Sequence, residues 1–245
     1  MDHASNARPD LSVVIPIFNE QDNLAPLLDE LEIHLKALKR AFEVICVDDK
    51  STDGSLEALR RLKRDKLYLR IVAHRIHCGE SAAQATGFRH ARGEIVITMD
   101  ADQQNDPADI PMLLEGLKED TAAVCGIRRK REDNFVRRLS SRIANGFRNA
   151  ITGDRISDAG CTFRAFRREA LREAPVFNGL HRFLPTILRF QGFKVKEALV
   201  NHRARKRGSS KYGVGNRMWR GIRDCFAMRW YRARCIPGDR TSADE

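Results

Sequence analysis

Residues 94–107 read Glu-Ile-Val-Ile-Thr-Met-Asp-Ala-Asp-Gln-Gln-Asn-Asp-Pro, a short apolar run that ends in two carboxylates one residue apart. The run Glu94–Met99 predicts a strand, and alternate side chains of a strand point to the same face. We therefore expect Asp100 and Asp102 to converge, and Gln104 to join them if the extended backbone continues. Three oxygen donors at the carboxyl end of a strand can hold one hard divalent cation beside phosphate oxygens. The alternative is a solvated turn before a helix.

The rest of the chain has the pattern of an α/β fold. Apolar strands alternate with helical stretches, which is typical of a mostly parallel central sheet covered by helices. The predicted strands are Leu11–Ile17, Phe42–Val47, Leu67–Ala73, Glu94–Met99, Thr121–Ile127, Cys161–Phe166 and Phe193–Asn201. The predicted helices are 22–39, 54–64, 79–92, 107–119, 134–151, 168–174, 180–191 and 217–235. A length of 245 residues suits one such domain, with or without an appendage.

Charge is distributed unevenly along the chain. Residues 1–125 carry 15 lysines and arginines against 22 acidic residues, whereas residues 126–235 carry 28 against 8. An acidic metal-binding half and a basic anion-binding half suit an enzyme that handles phosphates at a membrane face. A basic half also suits nucleic acid, so this feature alone is not specific.

The compartment is indicated by what the sequence lacks. No run of about 18 apolar residues predicts a transmembrane helix, and residues 1–9 lack the apolar stretch of a secretion signal. The six cysteines show no Cys-x-x-Cys or His-paired spacing, and several lie in apolar strands, where a cysteine is usually a small core residue. We expect a cytoplasmic protein.

Residues 216–245 form a basic amphipathic C-terminal helix and tail. Apolar residues repeat at Trp219, Ile222, Phe226 and Trp230, and the other faces carry Arg220, Arg223, Arg229, Arg232 and Arg234. Aromatic anchors flanked by arginines suit a helix that lies in the headgroup layer of a membrane. The alternative is a surface helix packed on the domain.

Two further polar motifs follow the first and second predicted strands, at Pro16–Glu20 and Asp48–Gly54. A dinucleotide-binding domain would show Gly-x-Gly-x-x-Gly after its first strand, and that motif is absent. Carboxylates such as Glu20 and Asp49 can accept hydrogen bonds from a base or a ribose, and Phe18 can stack on a base. Singly, each of these residues is also explained as a turn or cap residue.

Taken in order, these motifs resemble the signature of family 2 glycosyltransferases with the GT-A fold. Within that family the chain resembles the dolichyl- and polyprenyl-phosphate sugar transferases, the dolichol-phosphate mannosyltransferase group. The resemblance covers roughly residues 11–215. It includes, besides the three acidic motifs, Cys78–Ala83, Gly126–Arg128, Asp158–Cys161 and Arg205–Tyr212.

The resemblance implies a domain organisation and a set of site residues. Residues 1–215 would form the GT-A domain, with a nucleotide-binding half at 1–127 and an acceptor-binding half at 128–215. The implied nucleotide site consists of Pro16, Phe18, Glu20, Val47, Asp49, Asp100, Ala101 and Asp102. The implied metal ligands are Asp100, Asp102 and Gln104. The implied acceptor-phosphate site consists of Arg128, Arg137, Ser141, Arg205, Ser210 and Lys211, and the residues closest to the chemistry would be Asp102, Arg128, Arg205 and Lys211.

The chain departs from the family pattern at three positions. Phe18 stands where the family often has tyrosine, so a hydroxyl contact is lost. Lys50 replaces the glycine of Asp-Asp-Gly-Ser, which puts recognition of the donor base in doubt, and Gln103 replaces a usual leucine. None of these departures removes an implied metal ligand.

The expected reaction moves a hexose from a nucleotide-sugar, GDP-mannose or a UDP-sugar, to a polyprenyl or dolichyl phosphate at the cytosolic face of a membrane. All-oxygen ligands favour Mg²⁺ or Mn²⁺ as the cofactor. A phosphate monoester is mostly dianionic at neutral pH and needs no strong general base, so we expect an inverting single displacement.

Three points on partners and function remain open. Many relatives carry transmembrane helices after this domain, which leaves open a separate membrane protein as partner. One alternative is a family 2 enzyme acting on a soluble or polysaccharide acceptor. The other is a nucleic-acid-binding protein, which the acidic strand ends oppose.

Overall fold

The computed structural model describes residues 8–118, 120–129, 135–204 and 214–236, and describes side chains within them except at 135–143 and 214–220. The strands are β1 (Leu11–Ile17), β2 (Phe42–Asp48), β3 (Leu69–Ala73), β4 (Ile95–Thr98), β5 (Thr121–Arg128), β6 (Arg164–Arg167) and β7 (Lys194–Val200). The helices are α1 (Gln21–Ala37), α2 (Ser55–Leu62), α3 (Glu80–His90), α4 (Ile110–Gly116), α5 (Phe135–Thr152), α6 (Arg168–Leu171), α7 (Leu180–Phe190) and α8 (Val214–Arg234). The predicted α/β architecture is confirmed.

The seven strands form one mostly parallel sheet in the order β3-β2-β1-β4-β6-β5-β7. β2, β1 and β4 are parallel neighbours, β3 is parallel to β2, and β7 is parallel to β5. β6 is antiparallel to both β4 and β5. Because β6 comes from the second half of the chain and lies between two strands of the first half, residues 1–127 and 128–215 share one sheet.

Helices cover both faces of this sheet, which explains why its central strands are mainly apolar. On one face the leucines of α1 are buried against β1 and β2, because they recur at helical spacing: Leu24, Leu27, Leu28, Leu31 and Leu35. On the other face α3 and α7 pack around Phe166 and Phe183. The carboxyl ends of the parallel strands β1, β2 and β4 lie side by side along one side of the sheet, which is called its carboxyl edge below.

Helix α8 packs on the domain through one face and presents another face outward. Cys225 and Met228 are buried in the core between α8 and the rest of the domain. Phe226 and Trp230, one turn apart, are 56% and 66% exposed. The helix is therefore packed, and it still exposes part of its predicted aromatic row. In the described part of the chain, no helix has the length and apolar character needed to cross a bilayer.

The turn after β2 holds a lysine in a backbone conformation that favours glycine. Lys50 has φ +59°, and the backbone N–H of Ser51 donates to Asp48 Oδ2 at 3.2 Å, which closes the turn. A non-glycine residue in the left-handed region costs roughly 1 kcal/mol or more. This strain is the physical reason why glycine is expected at this position.

Replacing Lys50 with glycine should raise the free energy of unfolding by about 0.5–1 kcal/mol, because glycine adopts this conformation without steric cost. Urea denaturation followed by circular dichroism measures the change. The matched control is Lys63→Gly, an exposed lysine at the end of α2 with φ −64°, where glycine should lower stability. Loss of stability in both variants would contradict the strain argument.

Candidate active site

Three acidic segments meet at the carboxyl edge of the sheet. The end of β1 pairs with the end of β2, Ile17 opposite Asp48, and β4 pairs with β1, Thr98 opposite Val14. The segments that follow these strands are therefore neighbours, which is where α/β sheets bind ligands. The predicted grouping of the Pro16–Glu20, Asp48–Gly54 and Asp100–Asp102 motifs follows from this register.

Asp100 and Asp102 lie in a turn rather than on an extended strand. β4 ends at Thr98, and Gln103 has φ +62°. Asp102 Oδ1 accepts a hydrogen bond from the backbone N–H of Gln104 at 3.1 Å. The condition under which Gln104 was expected to join the two aspartates, an extended backbone, is therefore not met, because the chain turns beyond the strand.

The carboxylate of Asp100 is held by Thr162, which lies just before β6. Thr162 Oγ1 donates to Asp100 Oδ2 at 2.5 Å, and Thr98 Oγ1 donates to the carbonyl of Thr162 at 2.5 Å. The side chain of Asn105 accepts from the backbone N–H of Asp100 at 2.8 Å. The sequence analysis missed Thr162, because its position depends on the pairing of β6 with β4.

Burial, followed by the negative charge of Asp102, raises the pKa of Asp100 to about 6. The hydrogen bond from Thr162 and the positive charges of Arg128 and Arg164 act in the opposite direction. Two carboxylates crowded in this way repel each other, and a divalent cation between them would relieve that repulsion. The oxygen donors fit the Mg²⁺ or Mn²⁺ expected from the sequence.

Replacing Asp100 with asparagine should stabilise the metal-free protein by about 2 kcal/mol at pH 8, because it removes a buried charge whose pKa is raised by about two units. The amide oxygen can still accept from Thr162. Because the pKa of Asp100 is raised, its charge lowers the free energy of unfolding in full above about pH 6. Below the ordinary carboxyl pKa it has no such effect. Thermal unfolding at pH 8 and pH 4 measures this, and an equal difference at both pH values would contradict the prediction.

Gln104 links this turn to the end of β7. Its Nε2 donates to the carbonyl of Arg203 at 3.2 Å and lies 3.4 Å from His202 Nε2. The backbone N–H of Arg203 donates to the carbonyl of Gln104 at 2.9 Å. Gln104 as a third metal ligand stays a prediction. The contact places His202 and Arg203 beside the turn that carries Asp100 and Asp102. The predicted residues Arg205, Ser210 and Lys211 lie outside the described residues.

Phe18 and Glu20, two of the predicted nucleotide residues, lie in the segment between β1 and α1. The ring of Phe18 stacks on His77, with ring centroids 4.3 Å apart. Glu20 begins α1, where its Oε2 accepts from Asn23 at 2.6 Å. Of the remaining predicted nucleotide residues, Pro16 is half-buried, whereas Val47 and Ala101 are buried.

Asp49 is the most heavily contacted residue of the predicted nucleotide site. Its Oδ1 accepts from the backbone N–H of Cys78 at 2.8 Å, and its Oδ2 accepts from that of Gly79 at 2.6 Å. His74 Nδ1 and His77 Nδ1 lie 2.7 and 2.8 Å from the same carboxylate. The sequence analysis did not foresee these imidazole partners.

On the acceptor side, Arg128 forms a two-pronged pair with Asp158. Arg128 Nε and Nη2 donate to the two carboxylate oxygens, each at 2.7 Å. A Cβ on Gly160 would approach Arg128 Nη2 to 3.0 Å, so glycine leaves the space that the guanidinium uses. The pair holds the guanidinium at a position from which its positive charge acts to lower the pKa of Asp100. The side chains of Arg137 and Ser141, on α5, lie outside the described residues.

A match to a family model identifies the protein family of this chain. The model described as "Glycosyl transferase family 2" matches residues 12–174, which include all three acidic motifs. The chain belongs to glycosyl transferase family 2. It is therefore a glycosyltransferase, which agrees with the resemblance noted in its sequence.

Curated relatives of this glycosyltransferase act on polyprenyl phosphates, according to their names. A dodecaprenyl-phosphate galacturonate synthase of Rhizobium johnstonii is 35% identical over 235 residues, which are 94% of this chain and 69% of that protein. An undecaprenyl-phosphate 4-deoxy-4-formamido-L-arabinose transferase of Edwardsiella ictaluri is 36% identical over 206 residues, which are 83% of this chain and 63% of that protein. This chain spans about two thirds of the length of these relatives.

Solved structures of other glycosyltransferases share the fold. The mannosyltransferase PcManGT from Pyrobaculum calidifontis, in complex with GDP-Man and Mn²⁺, matches with a TM-score of 0.62 at 22% identity and covers 94% of this chain and 66% of its own. Glucosyl-3-phosphoglycerate synthase from Mycobacterium tuberculosis, in complex with Mn²⁺ and UDP among other ligands, matches with a TM-score of 0.66 at 19% identity, over 94% of this chain and 82% of its own. These likenesses show that this glycosyltransferase has the GT-A fold.

Proposed function

We propose that this glycosyltransferase moves a sugar from a nucleotide-sugar to a polyprenyl phosphate at the cytosolic face of a membrane, using Mg²⁺ or Mn²⁺. The observation that carries the proposal is the crowded carboxylate pair Asp100–Asp102, with the charge of Arg128 close enough to act on Asp100. A site with these charges suits a reaction that brings a diphosphate and a phosphate together. The names of the two curated relatives support the acceptor class.

The residues divide the work between the leaving group and the acceptor. Asp100 and Asp102, with Gln104 as the predicted third ligand, would hold the cation, which neutralises the charge that develops on the leaving diphosphate. Arg128 donates its Nε–H and one Nη2–H to Asp158, and its remaining N–H groups would donate to phosphate oxygen. The acceptor phosphate is already mostly dianionic at neutral pH and attacks without a strong general base. The reaction therefore inverts the anomeric configuration in a single displacement.

The donor sugar is a separate question from the reaction type. The names of the two relatives specify galacturonate and a formamido-arabinose as the sugar, whereas the sequence resemblance indicated mannose or glucose. The donors to compare therefore include GDP-mannose, UDP-glucose, a UDP-uronic acid and a UDP-linked amino sugar. The predicted nucleotide residues Phe18, Glu20 and Asp49 would contact the nucleotide part of each donor.

The deciding experiment incubates purified chain with this donor panel, Mg²⁺ or Mn²⁺, and a short prenyl phosphate. We expect one donor to give a prenyl-phosphate sugar of inverted configuration, and chelation of the metal to stop the reaction reversibly. A soluble phosphate monoester is the control acceptor. Transfer to the soluble acceptor alone would favour the alternative acceptor class, and a trapped glycosyl-enzyme would contradict the single displacement.

The exposed face of α8 suits an anionic membrane surface. Phe226 and Trp230 project outward with Arg223 and Arg229, all on the exposed side of the helix. Aromatic anchors with flanking arginines are favoured at the headgroup boundary, where each basic residue adds about 1 kcal/mol on anionic lipid. The helix would hold the domain beside its lipid-linked acceptor.

A double variant, Phe226→Ser with Trp230→Ser, should weaken binding to vesicles containing 30 mol% anionic lipid, used here as a rough physiological proportion, by about tenfold or more. Vesicle sedimentation measures the change. The matched control is Leu67→Ser, which removes an apolar side chain that is 93% exposed elsewhere on the surface. Equal binding of the double variant and the native chain would show that α8 serves only to pack on the domain.

A further inference from the structure

We propose that Asp49, His74 and Cys78 form a second cation site, suited to a thiophilic divalent ion such as Zn²⁺. Each residue offers one ligand atom, a carboxylate oxygen, an imidazole nitrogen and a thiol sulfur, and the three atoms lie within 4.8 Å of one another. Ligands of one tetrahedral zinc ion stand about 3–4 Å apart, given bond lengths of about 2.0–2.3 Å. The side chains are therefore already close to the spacing that one ion requires.

The carboxylate is the fixed member of this site. Asp49 is 2% exposed, and the backbone N–H groups of Cys78 and Gly79 each donate to one of its oxygens. The same backbone bonds hold the residue that carries the thiol next to the carboxylate. The loop that carries the thiol is thus bound to the carboxylate through its own backbone N–H groups.

The imidazole is oriented by a partner on its far side. His74 Nδ1 lies 2.7 Å from Asp49 Oδ1, and its Nε2 lies 2.9 Å from the hydroxyl of Thr86 on α3. Histidine ligands of metals are commonly held in this way through their second nitrogen. In the apo arrangement Nδ1 contacts the carboxylate directly, and a bound ion would take its place between the two groups.

The ligand types separate this site from the Asp100–Asp102 pair. Thiolate and imidazole favour Zn²⁺, whereas oxygen ligands alone favour Mg²⁺ or Mn²⁺. Cys78 is exposed, so an ion can reach it from solvent. A fourth, exchangeable ligand would come from the solvent to which Cys78 is exposed.

The position of the site gives it a consequence for catalysis. His77, whose Nδ1 lies 2.8 Å from Asp49 Oδ2, stacks on Phe18. A cation at Asp49 would occupy the carboxylate that the proposed function assigns to the nucleotide, so binding of Zn²⁺ and nucleotide should compete. This consequence rests on the proposed function, whereas the metal site itself does not.

Cobalt(II), a spectroscopic substitute for zinc, tests the site directly. Purified full chain with excess Mg²⁺ should bind one Co²⁺ with a thiolate charge-transfer band in the near ultraviolet, and Zn²⁺ should remove the band. Cys78→Ser should abolish the band. The matched control is Cys235→Ser, the other cysteine that is not fully buried, and it should retain the band. No band in the native chain, or an unchanged band in Cys78→Ser, would show that the three side chains form a hydrogen-bonded clamp only.

Nucleotide addition separates the two proposals. If UDP or GDP lowers the affinity for Co²⁺ about tenfold or more, the competition is supported. If the band forms as expected and neither nucleotide affects it, the competition is wrong while the metal site stands. A normal cobalt band together with no sugar transfer from any donor of the panel would overturn the proposed function alone.

Discussion

Asp102→Asn should lower turnover by about 10³-fold while leaving the fold intact. The asparagine oxygen can still accept the backbone N–H of Gln104, which Asp102 Oδ1 accepts at 3.1 Å, so the turn is preserved. The substitution removes one of the two charges that would hold the cation opposite the leaving diphosphate, and loss of one such electrostatic group commonly costs about 10²–10³ in rate. Initial rates with saturating donor measure the effect.

Binding of Mn²⁺, followed by electron paramagnetic resonance, should be lost in the same variant. Asp65→Asn removes a carboxylate from an exposed position distant from the cleft and serves as the control, with unchanged rate and binding. Activity of Asp102→Asn within tenfold of the native enzyme would remove the metal from the mechanism proposed above.

Arg128→Lys should lower turnover by about 10²-fold, the second largest effect expected. Lysine keeps the positive charge, but it cannot reproduce the two parallel hydrogen bonds of 2.7 Å to Asp158 that fix the guanidinium. The retained charge limits the loss of stability from weakening the pair with Asp158. The rate constant for transfer, measured in a single turnover with prenyl phosphate, should fall more than the affinity for nucleotide.

The neighbouring residue supplies the control for this change. Arg129 is exposed and carries the same charge, and Arg129→Lys should leave turnover unchanged. Residues 128–131 form a basic run, Arg-Arg-Lys-Arg, of which we expect only Arg128 to contact substrate. Equal losses in both variants would indicate that the run acts through its overall charge instead.

The periodicity of the sequence predicted the elements well, because both faces of the sheet are covered and strands and helices therefore carry unbroken apolar patterns. The leucines of α1 show this most directly. The order of the strands could not be predicted in the same way. β6 pairs antiparallel between β4 and β5, and that pairing joins residues about 70 positions apart for β4 and about 40 positions apart for β5.

The same limit applies to the candidate site. Motifs at the ends of β1, β2 and β4 identified the acidic edge, because the end of a strand can be predicted from the residues next to it in the sequence. Thr162, which bonds Asp100 from 62 residues away, carried no local signal. His74 and His77 could not be linked to Asp49 for the same reason. The adjacent pair His77–Cys78 does not match the ligand spacings usually sought around a cysteine.

The central position of β6 has a consequence for how the chain reaches its native state. During synthesis β4 and β5 emerge from the ribosome well before residues 164–167, and until then neither can pair along the edge that β6 will fill. Thr162 arrives with β6, so the carboxylate of Asp100 gains its anchor only at that stage. A polypeptide truncated before residue 164 also lacks β7, so it should leave β4 open along one edge and β5 without either of its neighbours, which favours misassembly.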